Sequence, residues 1–263
     1  MTVTSKDNQW VKEWRRLNDS AKYRRESGLF AIEGARLCGD ALRSGVRLHT
    51  VLYTASALAV YSDVVGALLA SADNAVEISP ELSRYMGDTM NPQGVFCIAK
   101  MLDNSLIIDK INIIGTYSAL EDIQDPGNMG TVIRTAEALG LDGILLSDGC
   151  CDLYNPKVLR ASMGGVFRMP LMRVGDMAQA VELLQEKGLT AFACVVDSSA
   201  MPITEAGMGK GSIALIGNEG NGLRSETIAA CQHSVTIPMA GRAESLNASM
   251  AAGIILWEMS RNK

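Results

Sequence analysis

Apolar positions recur along this chain in two rhythms that take turns. Near the start Trp10, Val11, Trp14 and Leu17 return at helical spacing among lysines and arginines, which predicts a helix over 8–24. Short apolar runs then alternate with helical stretches. "GLFAIEG", "RLHTVLYT", "AVEIS" and "GVFCIAKM" read as strands. Between them "ARLCGDALRSG", "YSDVVGALLASA" and "PELSRYMGD" read as helices, the first closed by Gly45 and the last opened by Pro80. "LDNSLIIDK" reads as a linker, so the chain divides into residues 1–105 and 106–263.

The second part repeats the alternation more strongly. Strands are predicted at "NIIGTYSAL", "GILLSD", near "RMPLMRV", and at "TAFACVVD", "SIALIGNE" and "SVTIPM". Helices are predicted at "TVIRTAEALG", "NPKVLRASMGG", "DMAQAVELLQEKG" and "SETIAACQ", with a closing helix of small residues after Ser245. Strands separated by helices of this length imply an α/β fold with a parallel sheet covered on both faces. No internal repeat or low-complexity stretch interrupts it.

Composition agrees: 48% of residues are apolar but only 5% aromatic, so Ala, Gly, Val, Ile, Leu and Met fill the core. No apolar run approaches the roughly 18 residues of a membrane span, and the start lacks the apolar core of a signal peptide. A cytoplasmic protein without a membrane partner is expected. Cys38, Cys97, Cys150, Cys151, Cys194 and Cys231 are scattered, none at CxxC spacing, and only two histidines accompany them. Reduced thiols and no metal site are the expectation.

The net charge of −5 hides an asymmetry. Residues 1–105 hold 12 Lys+Arg and 12 Asp+Glu, whereas 106–263 hold 12 and 17. Residues 1–25 carry seven basic groups against three acidic ones, an arm able to attract phosphates or merely to solvate a helix face.

Ligands of open parallel sheets gather beyond the carboxyl ends of the strands. Three segments fall there. In "EDIQDPGNMGTVIRTAEALG", Asp125-Pro126-Gly127 makes a turn, Asn128 reads as a helix N-cap, and Arg134 is placed to grip a phosphate with its rigid fork. In "ALIGNEGNGL", a fully apolar strand ends in glycines around Glu219. This is neither GxGxxG nor a P-loop, and the carboxylate favours a neutral or cationic ligand over a phosphate. In "IPMAGRAESLNASMAAG", Ser245 reads as a helix N-cap, Asn247 falls in the first turn, and Ala248, Ala251, Ala252 and Gly253 allow close packing. Each segment alone is also explained by capping and packing.

Together, "NMGTVIRTAEALG", "LIGNEGNGL" and "IPMAGRAESLNASMAAGIILWE" resemble the three ordered motifs of the SpoU (TrmH-type) RNA ribose 2′-O-methyltransferases of the SPOUT class. The front segment from "VKEWRRLNDS" to "GARLCGDAL" resembles the ribosomal-protein-L30e-like substrate-binding domain of ribosomal RNA members. Ala248 departs from the valine that many relatives carry. The resemblance implies a deep trefoil knot, S-adenosyl-L-methionine as cofactor, a homodimer, and RNA as substrate, ribosomal RNA favoured over transfer RNA. It assigns Gly217, Ile237 and Leu246 to the cofactor. It assigns Asn128, Arg134, Glu219, Ser245 and Asn247 to catalysis, with Arg134 holding a phosphate and helping to deprotonate the 2′-hydroxyl. A transfer RNA enzyme, a non-catalytic RNA-binding protein on the same fold, and a Rossmann oxidoreductase are the competing readings.

Overall fold

The computed structural model describes residues 2–105 and 110–262. The predicted linker therefore lies partly outside the described residues, at 106–109. Two compact units make up the chain: Met1–Asp103 with Tyr154–Phe167, and Asn104–Leu153 with Arg168–Lys263.

The first unit contains α1 (Gln9–Asp19), α2 (Ala21–Ser27), β1 (Leu29–Glu33), α3 (Ala35–Arg43), β2 (Leu48–Tyr53), α4 (Ala55–Val60), α5 (Ser62–Ser71), β3 (Asn74–Glu77), α6 (Pro80–Met86) and β4 (Val95–Lys100). The sheet order is β1-β4-β2-β3, with β2 and β3 parallel and the other pairs antiparallel. Trp14, Leu17, Leu52, Leu82, Phe96 and Ile98 form the centre of its core. The single helix expected over 8–24 is two helices broken at Ser20. That residue is extended, and its hydroxyl accepts from the Tyr23 amide at 3.1 Å, so it ends α1 and caps α2. The short α4 has no counterpart in the predicted elements.

The second unit is built on a seven-stranded sheet, all of whose pairs are parallel. Its strands are β5 (Thr116–Leu120), β6 (Gly143–Ser147), β7 (Leu171–Val174), β8 (Thr190–Cys194), β9 (Met201–Pro202), β10 (Ser212–Ile216) and β11 (His233–Thr236), in the order β7-β6-β5-β10-β8-β11-β9. The helices are α7 (Pro126–Ala138), α10 (Met177–Glu186), α11 (Ser225–Ala230) and α12 (Ala248–Arg261). Between β6 and β7 lie α8 (Pro156–Ser162) and α9 (Gly165–Arg168). β5, β6 and β10 are buried at every position, as strands covered on both faces must be. α12 packs along α7 and reaches β10 and β5. The predicted strand at 112–120 begins only at Thr116, because a turn closed by Gly115 N–H to the Asn112 carbonyl at 2.8 Å precedes it.

Candidate active site

β5 and β10 lie side by side with Leu120 opposite Ile216. The chain beyond each strand end therefore emerges into the same space. Segment 121–128 runs into α7, and segment 217–224 runs into α11. Glu121, buried at the end of β5, accepts from the Arg224 amide at 2.8 Å and from the Thr227 hydroxyl at 2.6 Å. Asp122 follows with φ 56°, a left-handed conformation that Asp tolerates better than most residues. Its carbonyl accepts from Asn218 Nδ2 at 2.8 Å, and its carboxylate takes the Arg224 guanidinium at 2.6 and 3.0 Å. The two segments are thus tied together by Asn218 and Arg224, on either side of Glu219.

Asp125 is the N-cap of α7: its carboxylate accepts from the Asn128 amide at 2.7 Å, and Pro126 occupies the first helical position. Asn128 is not the cap expected from sequence; it stands at the third helical position, which leaves its side chain for other partners. Its Nδ2 donates to Glu219 Oε1 at 3.1 Å, and its Oδ1 accepts from Asn247 Nδ2 at 3.1 Å. Glu219 also accepts from the backbone amides of Gln124 and Asp125, each at 3.2 Å. Burial pushes the Glu219 carboxyl up, but the Asn128 amide and backbone donors outweigh it and hold the group below its ordinary value. The carboxylate is a charged, oriented acceptor at neutral pH.

Asn247, expected within the first turn of the closing helix, is its N-cap. Its Oδ1 accepts from the amides of Ser249 and Met250 at 3.0 and 3.3 Å, and α12 begins at Ala248. One side chain therefore starts α12 with its oxygen and bridges to α7 with its nitrogen. Ser245, the expected cap, lies instead in the irregular, exposed stretch between β11 and α12.

That stretch closes a cavity of about 480 Å³. Its walls include Gly217 to Leu223, Val235, Ile237 and Met239, and Ser245, Leu246 and Ala248. The size falls within the ~300–1,000 Å³ range of small-molecule sites, and the mixture of apolar wall and a few polar groups is typical of them. Gly217 is required here: an added Cβ would stand 2.1–2.4 Å from the backbone of Gly222 and Leu223. Cys194 also lines the cavity, and burial drives its thiol well above the ordinary value.

Of the eight residues picked from sequence, Gly217, Glu219, Ile237, Ser245 and Leu246 line this cavity. Asn128 joins it through Glu219, and Asn247 through Asn128. Arg134 stands apart. It is exposed on α7, outside the cavity wall, and its guanidinium makes no hydrogen bond or ion pair among the described residues. Sequence reasoning passed over Glu121, Asp122, Asn218 and Arg224. The one signal for the first two was a pair of acids placed directly after an apolar strand.

Comparison with known proteins places this geometry. Residues 116–257, more than half of the chain, match the SpoU rRNA Methylase family, and residues 8–97 match the MRM3-like substrate binding domain. The chain belongs to the SpoU rRNA methylase family. Among its SpoU relatives, the 23S rRNA (guanosine(2553)-2′-O)-methyltransferase RlmP of Bacillus subtilis is 29% identical over 98% of this chain and 98% of its own length. An uncharacterized tRNA/rRNA methyltransferase of Synechocystis is 32% identical over 100% of this chain and 94% of its own. The AdoMet-bound rRNA methyltransferase of Sinorhizobium meliloti superposes with a TM-score of 0.87 at 31% identity, covering 99% of this chain and 97% of that one.

Proposed function

We propose that this SpoU protein is an S-adenosylmethionine-dependent ribose 2′-O-methyltransferase acting on ribosomal RNA. The observation that carries the reading is the linked set Glu219–Asn128–Asn247. It brings three segments distant in sequence to the rim of one cavity. Ribosomal RNA is favoured because it is the substrate named for RlmP and for the Streptomyces viridochromogenes 23S rRNA (uridine(2479)-2′-O)-methyltransferase, which is 29% identical over 99% of this chain.

The cavity residues fit the cofactor. Ile237 and Leu246 offer apolar walls to an aromatic base, Gly217 lets the backbone close in, and the carboxylate of Glu219 suits a cationic ligand. When bound, S-adenosylmethionine supplies an electrophilic methyl on a sulfonium. The chain's own residues do the rest. Glu219 and Asn128 fix the end of β10 against the start of α7. Asn247 holds the start of α12 on the same point, and with it Ser245 and the loop that faces the RNA. Arg134 grips the phosphate beside the target ribose and lowers the cost of drawing off its 2′-hydroxyl proton. Aligning the hydroxyl with the methyl is the main task, and positioning of this kind supplies several kcal/mol. DNA lacks the attacking oxygen and is no substrate.

Residues 1–105 serve RNA binding and 106–263 catalysis in this reading. The packing of α12 on α7, with 217–223 and 244–246 lining one cavity, supports a deep trefoil knot. A homodimer is supported by Leu246, Met250, Ile254 and Trp257, an apolar line on and just before α12; Met250 and Trp257 are 62% and 60% exposed. The site of action is the cytoplasm, on the ribosomal RNA itself. The deciding experiment incubates purified protein and labelled S-adenosylmethionine with 23S rRNA, transfer RNA and the DNA equivalent, then maps 2′-O-methyl marks. Marks on 23S rRNA alone are expected; marks on transfer RNA alone would overturn the substrate, and none on any RNA would overturn the activity.

A further inference from the structure

α7 carries one carboxylate, Glu137, three residues after Arg134. Side chains at that spacing are neighbours on a helix surface, so an intrahelical ion pair between Arg134 and Glu137 is within reach. It does not form. Glu137 is held instead by Arg168, at the end of α9, through a two-pronged contact: Nε to Oε1 at 2.6 Å and Nη2 to Oε2 at 3.0 Å. A fork of this kind is the strongest form of such a pair. Its effect on Glu137 is visible in the carboxyl, which the Arg168 guanidinium holds below its ordinary value.

α12, which packs along α7, also carries one carboxylate, Glu258. That group is engaged by Arg261 Nε at 2.8 Å and by Asn262 Nδ2 at 3.2 Å. Both acids of the helix pair are thus occupied by partners other than Arg134, whose guanidinium stays exposed without an ion pair among the described residues. We infer that Arg168 is a positioning residue for methyl transfer: by sequestering Glu137 it leaves Arg134 un-neutralised and ready for an RNA phosphate. The inference rests on the role given to Arg134 above. Without Arg168, Glu137 would swing to Arg134 and place a negative charge where the phosphate must sit.

The test compares Arg168→Ala, Glu137→Gln, the double variant and Arg168→Lys, with Arg134→Ala as the control for the underlying reading. The readouts are kcat and KM for RNA, cofactor affinity by calorimetry, and thermal melting. Arg168→Ala is expected to lower kcat/KM for RNA about three- to tenfold, chiefly through KM, the range expected of one nearby charge at a partly exposed site. Glu137→Gln and Arg168→Lys are expected to stay within about twofold of the parent. The double variant is expected to recover to the same range, with cofactor affinity constant throughout. A double variant as impaired as Arg168→Ala would mean that Arg168 touches RNA itself, and would overturn the inference. Equal losses in Arg168→Ala and Glu137→Gln, following equal drops in melting temperature, would reduce the pair to a structural tie. Full turnover by Arg134→Ala would overturn the role of Arg134 and this inference with it. An inactive Arg134→Ala without rescue in the double variant would overturn this inference alone.

Discussion

Asn128 and Glu219, 91 positions apart in sequence, meet at 3.1 Å, amide nitrogen to carboxylate oxygen. The same Asn128 accepts from Asn247 with its oxygen, so its amide must keep one orientation to satisfy both neighbours. Asn128→Asp turns the donor into a second carboxylate facing Glu219. Misplacement on the scale of an ångström costs about 10²-fold in rate, and a loss of that order in kcat is expected, with correct folding checked by melting.

Arg134→Ala should abolish methyl transfer while cofactor affinity, read by calorimetry, stays unchanged, because Arg134 lies outside the cavity wall. Arg134→Lys should recover little, since an ammonium lacks the planar fork that matches a phosphate.

Gly217→Ala forces a methyl into the backbone of Gly222 and Leu223, 2.1–2.4 Å away. Overpacking of this kind costs about 1–3 kcal/mol. Lower melting temperature and weakened cofactor binding are expected together; an unchanged protein would show that the 217–223 turn is far more yielding than its geometry suggests.

Glu219 has a lowered carboxyl pKa in the fold, so its contribution to stability is complete above the unfolded value and fades as pH falls through the folded one. The melting-temperature gap between the parent and Glu219→Gln should be constant from pH 7 to about 5 and shrink below about pH 4.5, the ordinary glutamate range. A gap that grows on acidification would contradict the network described for this carboxylate.

Trp257→Glu introduces a charge at the C-terminal end of the exposed apolar line on α12. Sedimentation should show dimers for the parent and monomers for the variant.

Much of this architecture was legible because buried parallel strands declare themselves as unbroken apolar runs: "GILLS" and "SIALI" needed no context. Helix starts were harder. Asp125, Asn128, Ser245 and Asn247 are all good caps, and local chemistry alone ranks them poorly. Pro126 was the neglected clue, because proline belongs at the first helical position and so points to Asp125 as the cap. Asn247 won over Ser245 because it bridges to Asn128, a long-range bond that no local rule contains. Ser20 inside an amphipathic stretch gave no reason to expect a break. The two-residue β9 is too short for any periodicity, though Pro202 on the sheet edge is where proline is tolerated. The acids Glu121 and Asp122 left a trace after an apolar strand, but their partners, Asn218, Arg224 and Thr227, lie about a hundred residues on and left none.

The stretch Tyr154–Phe167 belongs by its packing to the first unit, where the rings of Tyr154 and Phe167 lie 4.4 and 6.1 Å from that of Phe30. The polypeptide visits that unit twice. Trimming away the first hundred residues would strand two aromatic rings in water on the remaining piece, and isolating the front portion would bare Phe30.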